Sequence, residues 1–364
     1  MKSTVTNLNS GPPYIHDWRT SARAAWICSL TLLPIVVWSS IIYGHTAVAV
    51  WGVALATALV AEAIASGLLR RWTLGDGSAV LTGLLVAATM PPGIPLYIPA
   101  VSVAFAILIV KTAFGGLGAN WMNPALGGVA FAYANWPVAM REYVLPRLVS
   151  GVDGVSASTP LLFAKGLTGG LDIRVMDALR GSAYPLSDID SMMTGFMNDQ
   201  VFSRLGARLP DGYFDLVIGL KPGTLGESAL LAVLAGSVVL MGLRLIKPLI
   251  PVSMLAVFAV LVRVFGTGLP GESFLTGDVL FALSSGGIMF AAFYMASDPV
   301  SSPLGRLNSI VYGAAIGALS FIFRRWGSYS EGVTYAVLVM NVLVPFIEKS
   351  TLRMTSARGR ERAA

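Results

Sequence analysis

The sequence predicts an all-α integral membrane protein of about ten transmembrane helices, read as two inverted five-helix repeats separated by a long extracytoplasmic loop. Three observations predict it. Hydrophobic residues make up 55% of the 364-residue chain and charged residues only 12%, with a mean hydropathy of +0.72, so most of the chain suits hydrocarbon better than water. Apolar blocks of about 20 residues recur, long enough as helices to cross roughly 30 Å of hydrocarbon. Lys and Arg gather in alternate connections, the pattern that orients membrane helices.

Residues 1–23 form an arm in which Pro12, Pro13, His16, Asp17 and Arg19 break any signal-peptide pattern, so the first apolar block is expected to stay as an anchor. Spans follow at 24–43, 46–66, 78–92, 96–113 and 124–140, a first bundle over 24–140. A second bundle over 226–348 holds spans at 226–243, 248–266, 276–295, 308–323 and 332–348, and 349–364 is a basic cytoplasmic tail. With the N-terminus in the cytoplasm, Arg23, Arg70, Arg71, Lys111, Arg244, Lys247, Arg306 and Lys349 all fall inside, and the short outer turns at 44–45, 91–95 and 267–275 contain no Lys or Arg. Arg324 and Arg325 dissent, since this topology puts them outside. The same topology makes 141–225 an extracytoplasmic loop, partly irregular around Gly169-Gly170, Pro185 and Asp188 to Asp199; the alternative is that 160–168 or 213–220 dips into the membrane.

An internal echo supports the repeat. Gly75-Asp76 opens the third span of the first half and Gly277-Asp278 the third span of the second. With five spans per half the copies would be upside down relative to each other, although Gly-Asp is also an ordinary helix start. Gly115–Gly118 and Gly286-Gly287 mark places for helices to bend or break.

One Cys and two His narrow the chemistry. Cys28 alone holds no iron–sulfur cluster, and His16 and His45 lie outside the spans and make no buried haem pair, so a redox role needs an organic cofactor. The net charge of +6 arises from 25 basic and 19 acidic residues. The basic residues follow membrane orientation and form no nucleic-acid-binding face.

The most informative stretch is Asp153-Gly154-Val155-Ser156-Ala157-Ser158-Thr159, in the outer loop. Its small residues allow close approach by a bulky ligand and its hydroxyls offer attachment points. By spacing alone it reads first as a turn leading into a helix from Pro160. Asn120 and Asn123 flank an inner turn, where they are either helix caps beside Pro124 or amides for a ring edge, and Trp121 is either a stacking partner or an interface aromatic. Glu62, Asp76, Glu227, Asp278 and Asp298 stand in or beside spans. Capping explains Asp76, Glu227 and Asp278, while Glu62 either lines an ion route or snorkels to the inner interface.

Asp153-x-x-Ser156-Ala157-Ser158-Thr159 resembles the flavinylation motif Asp-x-x-Ser/Thr-Gly-Ala-Thr of redox-driven ion pumps. Further motifs agree in order: Asp76-Gly77-Ser78-Ala79, Gly115-Gly116-Leu117-Gly118, Asn120-Trp121-Met122-Asn123-Pro124-Ala125, Gly223-Thr224-Leu225-Gly226-Glu227 and Met295-Ala296-Ser297-Asp298-Pro299. Over about residues 15–350 the chain is similar to the family comprising the D subunit of the Rnf ferredoxin:NAD oxidoreductase and the B subunit of the sodium-pumping NADH:quinone reductase. The resemblance implies FMN joined through its phosphate to Thr159, with Ser156, Ser158 and Asp153 around it, and a non-covalent riboflavin near Asn120 and Asn123. It also implies a bacterial inner-membrane complex that moves Na⁺ or H⁺, with membrane iron–sulfur subunits, a second FMN-carrying subunit, ferredoxin- and NAD-handling subunits, and a flavin transferase acting on the periplasmic side. Two positions depart from the motif: Ala157 replaces its Gly, and Ser158, with a competing hydroxyl, replaces its Ala.

Two other classes compete with an electron carrier. A passive channel or secondary transporter for a small polar solute would use the repeat but leave Thr159 idle, and an assembly subunit would need none of the motifs. No GxGxxG or Walker pattern suggests that the chain itself grips a nucleotide.

Overall fold

The computed structural model describes residues 20–116, 118–151, 156–166, 175–180, 187–206, 208–267, 269, 272–327 and 332–363. Four helices are long and apolar enough to cross a membrane: α1 (Ser21–Tyr43), α2 (His45–Leu69), α15 (Arg306–Trp326) and the Val333–Ser350 part of α16 (Val333–Ala363). Gly44 joins α1 to α2 in a single residue at φ +74°, a conformation that glycine adopts without a Cβ penalty.

The other six expected spans are also helical but shorter or interrupted. They are α3 (Ser78–Ala88), α4 (Tyr97–Phe105) widening into a π segment at Ala106–Thr112, α5 (Pro124–Asn135), α11 (Leu230–Gly242) with a lead-in turn at Glu227–Ala229, α12 (Leu249–Phe265), and the broken pair α13 (Val279–Ser284) and α14 (Ile288–Phe290). With 11 residues α3 reaches only about 16 Å, roughly half a hydrocarbon core. It stops before Pro91-Pro92, which have no amide hydrogen to continue the ladder. The break after α13 falls at Gly286-Gly287, as the glycine pair suggests, with Gly286 at φ +92°.

Residues expected to form the outer loop build a small layer of their own. β1 (Tyr143–Val144) pairs antiparallel with β2 (Ser156–Ala157), placing Tyr143 opposite Ala157. The helices are α6 (Arg147–Ser150), α7 (Pro160–Gly166), α8 (Val175–Arg180), α9 (Asp188–Met197) and α10 (Tyr213–Ile218). Leu161, Ala164, Met176, Leu179 and Leu216 join Leu269 and Phe281 in a second apolar cluster, separate from the main core. The segments 160–168 and 213–220, read alternatively as membrane dips, contribute the packed helices α7 and α10.

Contacts sort the helix ends into two sides. On the first, the Trp26 indole donates to the Gly75 carbonyl at 3.1 Å, Asn123 to Met295 O at 3.3 Å and Lys247 to Pro303 O at 2.7 Å. On the second, Trp38 donates to Ile218 O and Tyr43 to Lys221 O, both at 2.8 Å. The dissenting arginines are held within the fold on the second side: Arg324, 2% exposed, donates to Ala282 O and lies 5.0 Å from the Phe258 ring centroid, and Arg325 donates to Gly266 O at 3.1 Å. Carbonyls and a ring face thus receive part of the charge that the orientation rule counts as dissenting.

Candidate functional site

The two candidate sites lie at opposite ends of the helices. On the second side, Thr159 is the last residue before α7, and its hydroxyl oxygen accepts the Leu162 amide at 3.1 Å while its carbonyl accepts Phe163 N at 2.8 Å. This is the expected cap, with Pro160 at the first helical position, where a missing amide hydrogen costs nothing. A phosphoester oxygen keeps acceptor capacity, so esterification at Thr159 is compatible with the cap. Thr159 is 5% exposed, whereas Ser156 and Ser158 are exposed beside it. Asp153 lies outside the described residues.

On the first side a cavity of about 470 Å³ opens between α1, α3, the end of the α4 π segment, the turn before α5 and the Met295–Val300 turn. Cys28, Thr82, Lys111, Asn120, Tyr294 and Asp298 line it, and its size falls within the usual range for cofactor pockets. The two asparagines separate in role. Asn123 caps α5, its Oδ1 accepting Ala125 N at 3.0 Å, and its amide group ties the Met295 carbonyl. Asn120 donates to Met122 O at 2.9 Å, but its buried Oδ1 has no hydrogen-bond partner among the described residues. An unmatched buried carbonyl oxygen costs about 1–3 kcal/mol, and a ligand N–H entering the cavity would satisfy it. A flavin ring, apolar on its faces and bearing a donor and acceptors on its edge, fits this wall. Trp121 is 45% exposed and meets Phe114 edge-on at 6.2 Å, outside the cavity lining and in the manner of an interface aromatic.

Asp298 edges the cavity. Burial raises its carboxyl above the ordinary range, partly offset by hydrogen bonds from the Ser301 hydroxyl, at 2.7 Å, and from the Ser301 and Val300 amides.

The model of the family described as NQR2, RnfD, RnfE matches residues 8–356. The chain belongs to that family. It is 37% identical over 328 residues to the D subunit of the ion-translocating oxidoreductase complex of Stutzerimonas stutzeri, with 88% of this chain and 87% of that one covered. It is 32% identical over 354 residues to the D subunit of the proton-translocating ferredoxin:NAD(+) oxidoreductase complex of Clostridium ljungdahlii, covering 96% of each. To the D subunit of the Na(+)-translocating ferredoxin:NAD(+) oxidoreductase complex of Acetobacterium woodii it is 32% identical over 344 residues, 94% of this chain and 92% of that one.

In this member of the NQR2, RnfD, RnfE family, two buried ion pairs stand where the sequence suggests isolated charges. Glu62 is 1% exposed and does not snorkel. Its carboxylate accepts the Lys111 ammonium at 2.9 and 2.8 Å, and the third ammonium hydrogen goes to the Ser78 hydroxyl at 2.6 Å. Ser78 in turn donates to the Asp76 carboxylate, which also caps the start of α3 by accepting Ser78 N at 2.8 Å. The second pair, Lys221 with Glu227, sits at 3.2 Å. Lys221 is inconspicuous in sequence because it lies in a polar segment between Gly219 and Pro222; its one signal there is a cation just ahead of the Gly223–Glu227 motif.

Proposed function

We propose that this chain is the membrane subunit through which a redox-driven Na⁺ or H⁺ pump relays electrons, with FMN esterified through its phosphate to Thr159. The chain is a subunit of an ion-translocating oxidoreductase complex, as its family membership and its near-complete alignment with the D subunits of such complexes support. The observation that carries the flavin reading is Thr159 itself: a hydroxyl at the mouth of α7, flanked by exposed Ser156 and Ser158, whose oxygen serves the helix whether free or esterified. A bound flavin supplies one- and two-electron transfer. The protein fixes its attachment through the cap and through β1 and β2, which tie 156–157 to 143–144.

At the opposite end, the cavity beside Asn120 takes a second, non-covalent flavin of the riboflavin class. Asn120 Oδ1 would accept a ring N–H there, while Asn123 holds the wall in place through Met295. Electrons then pass between ferredoxin and NAD(H) by way of iron–sulfur and FMN-carrying partner subunits. The Thr159 side faces the periplasm, and the cavity side, with both termini, faces the cytoplasm of a bacterial inner membrane.

The test is a denaturing gel of the chain produced with its complex and flavin transferase, viewed under ultraviolet light. Wild type should fluoresce at its own mass and Thr159→Val should be dark. A dark wild type overturns the reading, and fluorescence that survives in Thr159→Val moves the ester to Ser158 or Ser156.

A further inference from the structure

We infer that the Lys221 ammonium is a tethered occupant of a monovalent-cation site built from the Glu227 carboxylate and the Ser284 carbonyl, where three helix breaks meet. The site is assembled with care for a group so deep: Lys221 is 0% and Glu227 7% exposed. The ammonium donates to Ser284 O at the C-terminal end of α13 and lies 3.2 Å from Glu227 Oε1. Glu227 is seated by the Gly286 amide on one oxygen and by Thr224 N, at 3.4 Å, on the other. A Cβ at Gly223 would stand 3.0 Å from Glu227 Oε2, so glycine lets the carboxylate sit close against the main chain here. Tyr43 fixes the lysine main chain by donating to its carbonyl at 2.8 Å. The third break joins this point because Gly226 N donates to Ala88 O at 2.6 Å and Leu225 N to Met90 O at 3.1 Å, at the end of α3.

The contrast with Lys111 separates a strut from a stopper. Lys111 satisfies all three of its hydrogens, two on Glu62 and one on Ser78. Lys221 meets two acceptors among the described residues, Ser284 O and Glu227 Oε1, although an ammonium carries three donors. Both acceptors are hard oxygens, one a carboxylate and one the free carbonyl of a half-helix C-terminus, the ligand set that coordinates Na⁺ in discontinuous membrane helices. The lysine therefore fills with its own charge a position that a monovalent cation, completed by water, can occupy.

The experiment uses the full chain purified in detergent, comparing wild type, Lys221→Ala and Lys221→Ala/Glu227→Gln in NaCl and in choline chloride at equal ionic strength. In Lys221→Ala the Tm should rise saturably with Na⁺, by about 3–5 °C at a hundredfold excess over the dissociation constant. Wild type and the double variant should show no Na⁺-specific rise. Equal Tm for Lys221→Ala in Na⁺ and choline overturns the proposal. Where folding itself is at stake, recovery of monodisperse Lys221→Ala in Na⁺ but not in choline supports it, and recovery in neither makes Lys221 a strut and overturns it. The readout contains no flavin, so its failure leaves the Thr159 reading standing and the converse also holds.

Discussion

Lys111→Met should be among the most damaging single substitutions on the first side of the protein. The side chains of Lys111 and Glu62 are 4% and 2% exposed, and their charged atoms stand 2.8 Å apart. At an effective dielectric constant near 20 their gross attraction is about 6 kcal/mol. Desolvating each ion takes back several kcal/mol, so the intact pair contributes little net stability. Removing one member is a different matter, because Glu62 would then be a buried carboxylate without its ammonium partner. The expected loss is about 3–5 kcal/mol, a fall of roughly 4–7 °C in Tm for a chain of this size. Glu62→Leu with Lys111→Met removes both charges, and it should recover about 2–3 kcal/mol relative to the sum of the single losses. Thermal unfolding in detergent, followed by far-ultraviolet circular dichroism, measures all four corners of this cycle. A Lys111→Met loss below about 1 kcal/mol, or a double variant as unstable as the summed singles, would refute the reasoning.

Two further substitutions test other parts of the fold. In Gly128→Ala the new Cβ would stand 2.5 Å from the Ser102 carbonyl oxygen and 2.9 Å from Ala106 Cβ; α4 and α5 must part, and the loss should be about 1–3 kcal/mol, with an unchanged Tm arguing against this helix contact. Asp298 carries a raised carboxyl pKa because of burial, so the stability its protonated form contributes is fully present below the ordinary carboxyl range and is lost as pH rises through the raised folded value. Asp298→Asn cannot ionise, so its Tm minus that of wild type should grow as pH rises above the ordinary carboxyl range; a difference that stays flat with pH removes the assignment.

The long helices were legible because α1, α2, α15 and the first part of α16 are unbroken apolar runs, and hydropathy reads runs. The Gly286-Gly287 break was legible too, since a glycine pair in an apolar block has few other uses. Thr159 stood out through its neighbours, and its cap bears out the turn reading without testing the ester. Asn120 and Asn123 looked alike in sequence; only coordinates show that one amide is fully committed to a cap and a carbonyl while the other keeps a bare oxygen. What sequence could not reach is pairing across distance. Glu62 and Lys111 are 49 positions apart and Lys221 and Ser284 are 63, and no local pattern encodes either meeting.

Pairing across distance also explains why charged residues survive at all in so apolar a chain. A helix that stops inside a membrane leaves carbonyls and amides that hydrocarbon cannot satisfy, each at a cost of several kcal/mol. Here the freed groups find side chains: Ala282 O takes Arg324, Ser284 O takes Lys221, Met295 O takes Asn123, and Gly286 N gives to Glu227. These four side chains therefore sit where helices break. A single substitution at one of these side chains would strand a backbone group as well as a partner, so its effect should exceed that of deleting an equally buried apolar residue of the same size. The Lys221–Glu227 junction places a cation between two oxygens at a meeting of three breaks, which is why it reads as an ion position.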